Sequence, residues 1–181
     1  ALLPGLATLP NANPGAWFMW GHSMGAEVTL RALLATDRVR GASLWSTVGG
    51  DVWEQAYGAS RRDAARKDDV DDDLVRDKPP LQALKREVAA FGPGFSTEAR
   101  EPLAHLAHLR TPLVLQHAVG DTSTPHRGSV RLASELARRG MPYRFHSVAG
   151  DEHFFQGEAF QRAVERDLKF FNELMNEHNR R

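Results

Sequence analysis

A serine hydroxyl attacks a carbonyl carbon only when a base can take its proton and a third group holds that base in place. One serine has a setting suited to this: Ser23, in the pentapeptide Gly21-His22-Ser23-Met24-Gly25. The pentapeptide alone is weak evidence, because the two glycines could simply let the chain reverse. Its surroundings carry more weight. The run "AWFMW" at 16–20 reads as a buried strand, apolar on both faces. Residues 24–36 place Val28, Leu30, Leu33 and Leu34 at helical spacing among strong helix formers. A sharp strand-to-helix turn would hold Ser23 in strained backbone geometry, with its hydroxyl clear of the sheet edge. Gly21 and Gly25, two before and two after it, keep side chains out of the neighbouring strand and helix. The helix N-terminus offers the Met24 backbone N–H to a developing oxyanion.

Base and orienter are sought at the C-terminal ends of parallel strands, where such sheets gather their functional groups. The run "PLVLQH" at 112–117 leads into "AVGDTSTP", which sets Asp121 in the loop beyond a strand. The run "YRFHSV" at 143–148 leads into "AGDEHFF", which sets His153 in the equivalent loop one unit later. The order Ser, Asp, His, each after a separate strand, is far more specific than the pentapeptide. Asp151 and Glu152 are poorer partners for His153, because neighbours in a tight loop rarely reach the far ring nitrogen. His22 reads as packing or exposed beside the serine, and Asp37 as a helix cap. His105 and His108 stand three apart, as two metal ligands could, but no third ligand lies nearby in the pattern. "DDVDDD" at 68–73 lacks the glycine and terminal glutamate of a calcium loop.

Stepwise alternation of strand and helix predicts an α/β fold, a mostly parallel sheet flanked by helices. The four expected strands are 16–20, 42–46, 112–117 and 143–148. Helices are expected at 24–36, closed by Asp37 and Gly41, then at 81–90, 126–139 and 158–177. The last shows a stripe of Phe160, Val164, Leu168, Phe171 and Leu174. Residues 49–110 differ in character, with the charged stretch "SRRDAARKDDVDDDLVRDK", and read as an irregular insertion or cap. Trp45, Trp53 and Tyr57 could line a pocket beneath it or pack it to the core.

The bulk properties exclude several classes. With 23 basic and 23 acidic residues among 181, nothing favours nucleic acid or an anionic membrane. No cysteine is present, so thiol catalysis and disulfides are ruled out. The apolar runs are too short to span a bilayer, and the N-terminus lacks the pattern of a signal peptide. These features fit the cytoplasm.

Three passages, "WGHSMGAEVTLRAL", "TPLVLQHAVGDTSTPHRGSVRLASELARRGMPYRFH" and "VAGDEHFFQGEAFQRAVERDLKFFNELM", resemble the α/β-hydrolase superfamily. Within it the chain is similar to the prolyl oligopeptidase-like and dienelactone hydrolase-like branch. His117, Asp121 and Pro125 keep that branch's spacing, as do Gly150 and His153. The resemblance implies Ser23 as nucleophile, His153 as general base and acid, and Asp121 as its orienter. It implies no metal and no cofactor, and an ester or peptide substrate. Thr124 stands where the branch has an apolar residue, a change expected to leave the mechanism untouched. The superfamily also places several strands and an oxyanion loop before the nucleophile. The expectation is therefore a C-terminal part of a single hydrolase domain, lacking its N-terminal strands. The alternative is a non-catalytic hydrolase-fold fragment or interaction module without a complete oxyanion hole.

Overall fold

The strongest local signals become four parallel strands, each leading toward the same edge of one sheet. The computed structural model describes residues 5–13, 15–49, 82–83, 86–87, 90 and 101–179. Strand β1 (Trp17–His22) leads into helix α1 (Met24–Ala35), and β2 (Val39–Trp45) follows. A 3-10 segment (Pro102–His108) precedes β3 (Leu113–Ala118), α2 (His126–Arg138), β4 (Tyr143–Val148) and α3 (Gly157–Asn179). The sheet order is β1-β2-β3-β4 and every pair is parallel, which bears out the expected fold class. The expected helix over 81–90, the charged stretch, Trp53 and Tyr57 lie wholly or largely outside the described residues.

Period-two alternation divides the strands between two cores. Ala42 and Leu44 of β2, with Leu113 and Leu115 of β3, meet Leu30 and Leu33 of α1 and Leu132 and Leu136 of α2. The opposite face carries Trp45, Ala118, Phe155 and Ala163 of α3. Ser43 and Gln116 also face α3, where Asp167 accepts from Ser43 Oγ (2.8 Å), Gln116 Nε2 (2.7 Å) and Trp45 Nε1 (2.8 Å). A buried carboxylate is tolerable only with such donors around it.

Several sequence expectations are corrected here. Strand β1 is not buried on both faces: Trp20 is 47 % exposed. Among the described residues β1 pairs only with β2, so its outer side is left open. Gly41 does not close α1; it lies inside β2, where a Cβ would strike Leu174 of α3, and Thr36 caps the helix instead. Trp45 ends β2, inside the expected strand, and packs against Phe155 in the core. The buried line of α3 runs through Ala163, Asp167 and Phe170, while Leu168 is 56 % exposed and Phe160 is also exposed. The donors on Ser43, Trp45 and Gln116 draw Asp167 inward, and the helix is rotated to suit them.

Candidate active site

The C-terminal ends of the strands form one rim. Ser23 follows β1, Ser46 follows β2, Asp121 lies in the loop after β3, and His153 lies in the loop after β4. Ser23 adopts φ 56°, one of two non-glycine residues at positive φ among those described. Such a conformation costs on the order of 1–3 kcal/mol and persists only where neighbours enforce it. The enforcement is visible: Ser23 N donates to Trp45 O at 2.9 Å, and Ala26 N donates back to Ser23 O at 3.0 Å. Gly21 is required at this turn, because a Cβ would meet the Gly25 carbonyl and, at 2.6 Å, Thr29 Oγ1. Gly25 is different. A Cβ there would meet nothing within 4 Å, so the expected steric need for a small residue holds at only one of the two positions. Met24 opens α1 with its side chain 77 % exposed, and its N–H is one of the first-turn donors that a helix cannot satisfy internally.

Asp121 and His153, 32 positions apart, are brought into direct contact: His153 Nδ1 donates to Asp121 Oδ2 at 2.8 Å. The carboxylate is buried and surrounded by donors. His117 Nε2 lies 3.2 Å and the Thr124 hydroxyl 3.0 Å from Oδ2. The backbone N–H groups of Ser123 (2.8 Å) and Thr124 (3.0 Å) hold Oδ1. Burial by itself would push this carboxyl up; the bonds from His117, His153, Thr124 and Ser123 outweigh it and hold it well below the usual carboxylate range. His117 Nε2 also meets Thr124 O at 3.0 Å, and its Nδ1 lies 2.6 Å from Ser129 Oγ, so the ring is held at both nitrogens.

The remaining link is of another kind. Among the described residues no hydrogen bond joins Ser23 Oγ to the His153 ring. The two loops meet through His22, whose ring centroid lies 4.6 Å from that of His153 and whose Nε2 donates to His153 O at 2.8 Å. Links between a nucleophile and its base are often long before substrate arrives. Burial lowers the tendency of His22 to take a second proton, and the bond to the His153 carbonyl opposes this without overcoming it. Among the described residues neither Asp151 nor Glu152 hydrogen-bonds the His153 ring, whose Nδ1 is taken by Asp121. His105 and His108 stack with centroids 6.4 Å apart, and among the described residues no group of three His, Asp or Glu side chains could hold a metal ion.

The sequence reading missed two participants. Ser46, at φ 48°, donates its hydroxyl to His153 O at 2.8 Å, and its own carbonyl lies 3.0 Å from the Thr124 hydroxyl. Thr124, expected to be a bystander, puts that hydroxyl between Asp121, Ser46 and His153 Nδ1, the last at 3.3 Å. The signal for Ser46 was available: it follows a parallel strand at the same rim as the other three.

A parallel sheet with helices on both faces, a strained serine between its first strand and helix, and an Asp–His pair at the same rim define the α/β-hydrolase fold. Known structures agree. A Mycobacterium tuberculosis puromycin-hydrolyzing peptidase is 25 % identical with a TM-score of 0.69, over 96 % of this chain and 24 % of its own. The acylaminoacyl peptidase of Pyrococcus horikoshii is similar at 18 % identity and a TM-score of 0.64, over 94 % of this chain and 26 % of its own. Acetyl xylan esterase 1 of a Thermoanaerobacterium species matches at 15 % identity and a TM-score of 0.56, over 96 % of this chain and 50 % of its own. The chain thus spans about a quarter of the length of the peptidases it matches. Residues 94–178 match the model of the prolyl oligopeptidase family, so the resemblance to that family stands. No described helix is long and apolar enough to cross a membrane.

Proposed function

We propose that the protein is a serine hydrolase that cleaves ester or amide bonds through an acyl-enzyme on Ser23. His153 takes the Ser23 proton as the hydroxyl attacks the carbonyl carbon. The electron pair of the carbonyl moves onto oxygen, where the Met24 N–H donates to it. His153 then returns the proton to the departing amine or alcohol, and water repeats the sequence to release the acid. Asp121 fixes the His153 tautomer and offsets the charge on the imidazolium. The observation that carries this reading is the 2.8 Å bond from His153 Nδ1 to the buried Asp121 carboxylate, at the rim where Ser23 is held at φ 56°. The family match over residues 94–178 supports a peptidase-type hydrolase.

A second reading, a non-catalytic hydrolase-fold module, is favoured by the absence of a Ser23–His153 hydrogen bond among the described residues. The two readings part on reaction with a fluorophosphonate probe, located by peptide mass spectrometry. Stoichiometric modification of Ser23 is expected, with none in Ser23→Ala and a loss of at least about a hundredfold in rate in His153→Ala. An unmodified Ser23 in folded protein would leave the non-catalytic reading in place.

A further inference from the structure

The carbonyl oxygen of His153 accepts two side-chain hydrogen bonds, from His22 Nε2 and Ser46 Oγ, both at 2.8 Å. The donors come from different strand ends. His22 is the last residue of β1 and immediately precedes Ser23; Ser46 follows β2 and is held at φ 48°. Ser46 N is itself tied to Gln116 O of β3 at 2.9 Å. Its hydroxyl therefore points from a backbone fastened to the sheet.

We infer that His22 is a positioning residue, which with Ser46 clamps the backbone carbonyl of His153 and so sets where the imidazole stands relative to Ser23. The consequence for catalysis rests on the hydrolase reading; the clamp itself does not. Asp121 fixes the ring through Nδ1 and thereby its tautomer. The loop is anchored on either side of His153 by the bond from Gly120 N to Gly150 O and by buried Phe155, but none of these contacts holds the His153 backbone itself. Two bonds to the carbonyl do. One of them comes from the residue covalently joined to Ser23, so nucleophile and base move together. Misplacement by about 1 Å can cost on the order of a hundredfold in rate, which sets the scale of what such a tether protects. His22 Nε2 carries its hydrogen whether or not Nδ1 is protonated, so the clamp does not open with pH.

His22 also packs edge-on against Phe154, with centroids 4.9 Å apart, so a packing role has to be told from a donor role. Substitutions separate them. His22→Phe keeps an aromatic ring and removes the donor; His22→Gln keeps an N–H donor of similar reach and removes the ring. Ser46→Gly removes the other donor at a φ that glycine adopts freely. The first readout is fluorophosphonate inactivation, split into its maximal rate and half-saturating concentration. The second is the downfield proton NMR resonance of His153 Nδ1–H bonded to Asp121, which needs no turnover.

The expected result is a fall of about tenfold or more in maximal rate for His22→Phe and Ser46→Gly at unchanged half-saturation, with a broadened resonance, and near-native behaviour in His22→Gln. The reverse pattern, with Phe tolerated and Gln not, would make His22 a packing residue and overturn the proposal. An unaltered resonance in both His22→Phe and Ser46→Gly would overturn it as well. If wild-type Ser23 takes no probe while the resonance responds as expected, the hydrolase reading fails and the clamp stands.

Discussion

At the scale of single residues, Asp121 is where burial and hydrogen bonding oppose each other most strongly. Its carboxyl is held well below the usual range, so the folded state favours the ionised form more than the unfolded chain does. That contribution is fully present above the unfolded carboxyl pKa of about 4 and is lost as pH falls through that value toward the depressed folded one. Urea denaturation of wild type and Asp121→Asn should therefore show a gap on the order of 2 kcal/mol that holds from pH 7 to about pH 5 and narrows below it. A gap independent of pH would mean the carboxylate charge contributes nothing to the fold. Asp121 and His153 were both readable in the sequence, because each stands a few residues beyond a clear strand. The hydroxyl of Thr124 was not. Its type suggested only a polar substitute in an apolar position, and nothing local indicates that it turns toward Asp121 Oδ2.

Among the elements, the turn from β1 to α1 distinguishes two glycines that look equivalent in the pentapeptide. Gly21 faces the Gly25 carbonyl and Thr29, so Gly21→Ala should lower stability by about 1–3 kcal/mol through overpacking. Gly25 lies in the first turn of α1 facing open space, and Gly25→Ala should be neutral or stabilising by up to about 1 kcal/mol. Thermal melts of the two variants check this pair, and equal losses would show that the turn is governed by something other than local space. Strand and helix identities were legible because periodicity is local: α1 and α2 end within a residue of their expected limits. The facing of α3 was not. Its apolar residues suggested one stripe, and the partners on β2 and β3 selected a neighbouring one.

For the whole molecule, Asp167 joins β2, β3 and α3 through three buried donors. Burial raises its carboxyl pKa, so its sign is opposite to that of Asp121: it disfavours the folded state increasingly as pH rises through the carboxyl range. Asp167→Ala nonetheless should destabilise by at least about 2 kcal/mol, because Ser43 Oγ and Trp45 Nε1 would each be left without an acceptor at about 1–3 kcal/mol apiece, while Gln116 Nε2 would keep only the Ala163 carbonyl. Chemical denaturation checks this, and a loss below about 1 kcal/mol would show that the three donors find other partners. The sequence by itself determined the alternation of strand and helix and the order in which serine, aspartate and histidine reach one rim. Those follow from hydrophobic period and turn residues within a dozen positions of each other. Only tertiary structure decided which face of α3 is buried and that His22 and Ser46 grip the carbonyl of His153. Those contacts join positions more than a hundred residues apart, where no local pattern records which donor meets which acceptor.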